Sequence, residues 1–292
     1  MNSMVLLACA CYCLLGFVSG LFKGMFGIGG GIVITPGLLF IFALLNIPES
    51  QSVDLAIGTS LLYMLVTSAA AVYFFSELGQ GINAKKLLLG FAAMIGGGIG
   101  SIVALKSQPH ILVILLGVIE LAVGVQIFVL GPVRQAKPTH LKSPAQDGGF
   151  LVKLTALGVL CGILSPLTGV GGGVVAVPAM VLLFKVPYPE AASSGIFMVL
   201  GSSFISVASF LFEGLHRHVS GGYGVYPIEL SPVGFVSPLA LVCLLPFGIF
   251  GTKVGSRVAV KADPVSMQLL LGCVLTAVGL LVLLPAAFRL FT

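Results

Sequence analysis

Ten apolar runs constrain this chain more than any other feature: about residues 4–26, 32–46, 55–75, 87–105 and 111–131, then 150–168, 173–184, 191–212, 233–252 and 265–288. They are too continuous for half-buried strands, which alternate apolar and polar residues. About 20 apolar residues in a helix cross the hydrocarbon core of a bilayer, and most of the runs approach that length. Too little polar sequence lies between them to coat a water-soluble domain, since 58% of residues are apolar and only 8% charged. Together with a mean hydropathy of +1.17, this predicts an all-α polytopic membrane protein. The first run has no Lys or Arg ahead of it, unlike a cleaved secretory signal, and is expected to belong to the fold.

The runs group as five and five around the most polar stretch, GPVRQAKPTHLKSPAQDGG. This predicts a first membrane repeat over 1–131, a cytoplasmic linker over 132–149 and a second repeat over 150–292. The halves match internally in three colinear blocks. Gly27-Ile28-Gly29-Gly30-Gly31 with Pro36 corresponds to Gly169-Val170-Gly171-Gly172-Gly173 with Pro178, 142 positions on. Ala56, Thr59, Thr67 and Ser68 correspond to Ala191, Ser194, Ser202 and Ser203 at a spacing of 135. Gly100-Ser101, Pro109, Gly117 and Gly124 correspond to Gly255-Ser256, Pro264, Gly272 and Gly279 at 155.

Counting basic residues by loop sets the expected orientation. With Lys85 and Lys86 inside, alternation also puts Arg134, Lys137, Lys142, Lys153, Lys185, Lys253, Arg257 and Lys261 inside, and Lys106, Arg217 and Arg289 outside. An odd number of crossings per half turns the second half upside down relative to the first. The expected fold is therefore two inverted-topology repeats, each with a Gly-interrupted first helical pair, in the cell (inner) membrane.

The GIGGG and GVGGG pentapeptides lie deep in apolar sequence, where a helix break is tolerated only if protein or a watery cavity receives the freed backbone groups. Without side chains in the way, the amides of Gly29, Gly30 and Gly31, and of Gly171, Gly172 and Gly173, can converge on an anion at the positive end of the following helix. Close helix packing by small residues is the competing reading. Two symmetric copies, each followed by a proline, favour a binding site, because paired interrupted segments mark transporter sites. Neither copy has phosphate-loop spacing, which excludes that mode of nucleotide binding.

Hydroxyls cluster in the third run of each half: Thr59 and Ser60 with Thr67 and Ser68, and Ser193 and Ser194 with Ser202 and Ser203. They can donate to an oxyanion, or bond to the backbone one turn earlier. Lys23, four residues before the first Gly run, is a candidate to offset an anion's charge, with snorkelling as the alternative. Glu120, in the middle of the fifth run, is a candidate proton carrier or a partner for Lys23. Their counterparts are Ser165 and Leu275, so neither role is repeated. His216 and His218 flank Arg217 in an expected loop. The six cysteines lie inside apolar runs without metal spacing. No metalloprotease or nucleophile-elbow motif occurs. The expectation is no catalytic residue, no metal, no cofactor and no enzyme activity.

At the Gly-rich motifs, with the Thr59-Ser60 pair after Pro48 and the Gly-Ser pair late in each half, the chain resembles the TauE/SafE family along nearly its whole length. It departs at Ser194-Gly195, where a Thr-Ser pair would repeat the first half. The resemblance implies export or uptake of sulfite, sulfonates or related sulfur anions. The expected function is secondary transport of such an anion by alternating access, with an anion channel or a membrane-embedded enzyme or assembly factor as alternatives. The expected partners are a small anionic substrate and the lipid bilayer, not nucleic acid, because the 14 Lys and Arg are scattered singly. A homodimer is compatible with the sequence.

Overall fold

In lipid every backbone polar group must be satisfied within the chain, so long apolar runs become helices. The computed structural model describes residues 3–45, 47–130, 148–219 and 232–291. These form α1 (Ser3–Phe26), α2 (Gly31–Leu44), α3 (Glu49–Glu77), α4 (Ala84–Lys106) and α5 (Pro109–Leu130) in the first half. The second half holds α6 (Gly148–Thr168), α7 (Gly173–Leu182), α8 (Tyr188–Val219), α9 (Pro238–Lys261) and α10 (Pro264–Phe291). Among the described residues eight helices are long and apolar enough to cross a membrane, while α2 and α7 are shorter apolar helices. Nearly all of the expected linker, with Arg134, Lys137 and Lys142, lies outside the described residues.

Three helices depart from the expected runs, and α3 already begins at Glu49 rather than about 55. Helix α8 runs on to Val219, so the Glu213–His218 segment is helical rather than a loop. Helix α9 starts at Pro238, not at 233, and continues to Lys261. Ser237 caps it by accepting from the Ala240 amide, and Pro238 supplies the preset φ of a first helical position. The apolar residues at 233–236 form instead a turn closed by a Val233–Val236 bridge, with Gly234 at φ 60°. The apolarity of Phe235 and Val236 reflects burial, since both are almost fully enclosed, whereas Val233 is exposed.

The packing follows lines of small residues. Helix α1 lies along α9, α4 along both α6 and α8, α3 against α8 and α9, and α5 against α10. Exchanging the two halves maps the α1–α9 contact onto α6–α4, and α3–α9 onto α8–α4. At Gly16, Gly20 and Gly24 an added methyl would run into the backbone of Leu244, Gly248 and Thr252 in turn, so α1 and α9 are parallel. Gly96 and Gly100 of α4 likewise meet Val159 and Ile163 of α6, also in parallel. These glycines let backbones approach, the small-residue packing of membrane helices. Helices α3 and α8 run antiparallel: the Ser193 hydroxyl, near the start of α8, donates to the Gln80 carbonyl just past the end of α3 at 3.4 Å, whereas Phe210 lies near the other end, edge-on to Phe235, whose carbonyl abuts Gly58.

Candidate functional site

Each Gly-rich segment breaks a helical pair because its residues adopt conformations that side chains disfavour. Gly27, Gly29 and Gly30 have φ of 71°, 82° and 76°, and Gly169 and Gly171 have 66° and 84°. A left-handed conformation costs a residue with Cβ about 1–2 kcal/mol. The symmetry is imperfect, since Gly172 has right-handed φ of −57°. After each break a short helix begins at Gly31 or Gly173, with its first amides lacking intrahelical acceptors.

The two breaks meet. A methyl at Gly31 would run into Val170, and one at Gly173 would lie 2.9 Å from Ile28 Cα, so the backbones abut across the halves. Met64 of α3 and Val199 of α8, mirror positions in the repeat, complete the junction. Methyls at Gly29 and Gly171 would sit 3.2 Å and 2.9 Å from Met64 Sδ, and each 3.3 Å from Val199. The junction is tight. A cavity of about 10 Å³, room for the centre of one water, lies beside the second break, lined by Thr168, Val170, Gly171 and Gly172 among others.

The hydroxyls divide into three groups. Ser60 and Thr35 both lie 2.6 Å from the Gly169 carbonyl and 3.0 Å from each other, gripping the opposite break from the first half. Thr35 was not among the sequence candidates, although it is the sole hydroxyl in α2. At the mirror positions stand Val177 and Gly195, so the Gly27 carbonyl lies against bare backbone at Gly195. Thr59 and Ser193 do not reach the breaks. Thr59 accepts from the Ser237 amide at 2.9 Å, while Ser193 serves the Gln80 carbonyl. Ser194 is buried on α8.

Ser68 and Ser203 form the third group. Both are fully buried, and neither hydroxyl has a hydrogen-bond partner. Each lies one helical turn beyond Met64 or Val199 on the same helix face. Because α3 and α8 are antiparallel, the two free hydroxyls flank the junction on opposite sides. Buried polar groups without partners are rare in native proteins, which makes this mirrored pair informative.

Lys23 does not snorkel: it has no exposed surface, and Nζ donates to Thr67 Oγ1 at 2.6 Å and the Met64 carbonyl at 3.0 Å. The second half repeats this arrangement without charge, Ser202 reaching Ser165 at 3.1 Å and the Val199 carbonyl at 3.2 Å. Glu120 lines the small cavity opposite Gly171 and Gly172, and neither carboxyl oxygen has a hydrogen-bond partner. Lys23 and Glu120 therefore do not pair with each other. Among the described residues no group of His, Cys, Asp or Glu is arranged to hold a metal ion.

A helical bundle with two mirrored helix breaks abutting at its centre is the architecture of a membrane transporter. Comparison with known proteins agrees. The model of the family described as Sulfite exporter TauE/SafE matches residues 12–282, and the chain belongs to that family. It is similar to the "Probable membrane transporter protein MJ0441" of Methanocaldococcus jannaschii, 28% identical over 276 residues that cover 93% of this chain and 94% of the relative. It is also similar to the "Probable membrane transporter protein YunE" of Bacillus subtilis, at 24% identity over 91% of this chain and 93% of the relative. A "Probable membrane transporter protein" of Haemophilus influenzae is 26% identical, with coverages of 87% and 89%.

Proposed function

We propose that this membrane transporter moves a small sulfur-containing anion, such as sulfite, thiosulfate or an organosulfonate, across the cytoplasmic (inner) membrane by alternating access. The family description supports the sulfur chemistry. The observation that carries the anion reading is the meeting of the two breaks, because it brings the amide-rich starts of α2 and α7 together from separate halves. In this reading Gly29, Gly30 and Gly31 with Gly171, Gly172 and Gly173 supply backbone donors, and Ser68 and Ser203 supply hydroxyls. Lys23 contributes charge from one turn away, and Glu120 carries a coupled proton. The closed junction is then one station of the cycle, and the breaks separate to admit the anion.

The two halves are inverted relative to one another in this reading, which the antiparallel packing of the equivalent helices α3 and α8 supports. So does the crossing of α5 and α10, where Gly124 meets Thr276 and Gly117 meets Val282 and Leu283. The face bearing Lys85 and Lys86 is cytoplasmic. Packing at the junction leaves no room for a standing pore, which favours a transporter over a channel.

Purified protein in proteoliposomes tests the reading with sulfite, thiosulfate, sulfate and taurine. Saturable flux is expected, reduced at least about tenfold in Ser68→Ala/Ser203→Ala, the effect of about 1.4 kcal/mol. Undiminished flux in that variant and in Gly31→Ala, with both folded, would remove the site. Flux that neither saturates nor responds to a proton gradient would favour the channel.

A further inference from the structure

The two mouths of the bundle are built from equivalent pieces but differ in what fills them. At the Lys86 face lies a cavity of about 110 Å³, lined by Phe75, Leu78, Gln80, Tyr188, Ala192 and Ala259 among others. Its lining residue Ala192 also lies against the first break, because a methyl at Gly27 would run into the Ala192 backbone. The buried Tyr188 hydroxyl has no partner. The turn beside this cavity, leading into α4, contains Gly79 at φ 81° followed by Gln80. It is held by Lys86, whose Nζ donates to the Gln80 and Gly81 carbonyls at 3.1 and 3.0 Å.

The repeat relation places Gly234 and Phe235 at the equivalent positions of the turn into α9. Gly234 is again left-handed, at φ 60°. Here no lysine holds the turn, since Leu241 stands where Lys86 stands in the first half. Phe235 is buried to 1% exposure and stacks edge-on against Phe210, with centroids 6.0 Å apart. Phe210 is itself the counterpart of the cavity-lining Phe75. The position equivalent to the half-buried Ala259 is Ala104, which has no exposed surface. Gly58 and Gly214 leave the space in which the Phe235 backbone sits. The next amide but one, Ser237, is tied to Thr59, the neighbour of the Ser60 that grips the second break.

We propose that the cavity at the Lys86 face is an access chamber through which an anion reaches the breaks, and that Phe235 is the plug that fills the equivalent chamber at the opposite mouth. The structure is thus open toward one side and closed toward the other, and withdrawal of Phe235 is the step that opens the second side. The chamber takes a solute the size of a small oxyanion. The inference rests on the transport reading for its purpose, but its geometry can be tested without any substrate.

Equivalent reporters make the test symmetric. In a background with the six native cysteines replaced, single cysteines are placed by Ala259→Cys and Ala104→Cys and exposed to a membrane-impermeant thiol reagent from each side. With Phe235 present, the 259 reporter is expected to react from the Lys86 side and the 104 reporter to resist reagent from the other. Phe235→Ala should raise labelling at 104 at least tenfold from the Phe235 side. Thr59→Val, which removes the anchor of Ser237 and leaves the packing volume nearly unchanged, should act in the same direction. Protection at 104 unchanged in both variants, with the protein monodisperse, would overturn the plug, as would resistance at 259 from the Lys86 side. Gated labelling without anion flux would instead count only against the transport reading.

Discussion

Among the described residues no acid pairs with Lys23, and its Nζ is satisfied by a hydroxyl and a carbonyl of α3. The second half keeps that contact with Ser165 and Ser202, so the fold does not require a charge at this point. Lys23→Ser is therefore expected to fold, with melting in detergent shifted by only a few degrees, about the effect of 1 kcal/mol. Its anion flux should nevertheless fall at least about tenfold, if the cation draws the solute toward the breaks. Flux equal to the parent protein would make Lys23 a packing residue. For Glu120, whose oxygens have no partner beside Gly171 and Gly172, the informative change is Glu120→Gln. It keeps the shape and removes the titration, so the pH dependence of flux should flatten while the protein stays folded. A pH profile unaltered by Gln would end its role as proton carrier.

The helices themselves were legible in the sequence because apolar length is sufficient to specify a helix in lipid. The start of α9 was not, since Phe235 and Val236 are apolar to fill a buried turn rather than to face lipid. The glycine breaks were visible, but their contact was not, because no local pattern encodes that Gly31 lies on Val170. Thr35 carries no local signal for a related reason: its partner is a carbonyl 134 positions away. Many other glycines serve only close packing between helices, which yields a prediction at this scale. Gly20→Ala on α1 and its counterpart Gly162→Ala on α6 drive a methyl into Gly248 and Ala93 respectively, and each should destabilise by about 1–3 kcal/mol. Gly81→Ala, with nothing within 4 Å and no left-handed φ, should be neutral or stabilise by up to about 1 kcal/mol. Thermal melting in detergent distinguishes them, and equal midpoints for all three would contradict the packing described.

Across the whole molecule, α1, α3 and α9 run one way and α4, α6 and α8 the other, so topology can be checked from a few positions. Thiols introduced by Lys185→Cys and Lys253→Cys should label from the cytoplasm, and one from Lys106→Cys from outside. Labelling of Lys106→Cys and Lys185→Cys from one side would refute the inverted arrangement. The symmetry that organises the bundle also stops short at its centre. Two hydroxyls hold the Gly169 carbonyl, and Gly195 and Val177 give Gly27 none. At about 0.5–1.5 kcal/mol for each bond, the latch is worth about 1–3 kcal/mol on one side only. In the alternating-access cycle proposed above, such a junction would give wells of unequal depth, and the idle carrier would dwell on one side about 5- to 150-fold longer. Two similar but unequal halves would thus give the carrier a preferred resting posture, set by its own chain before any gradient acts.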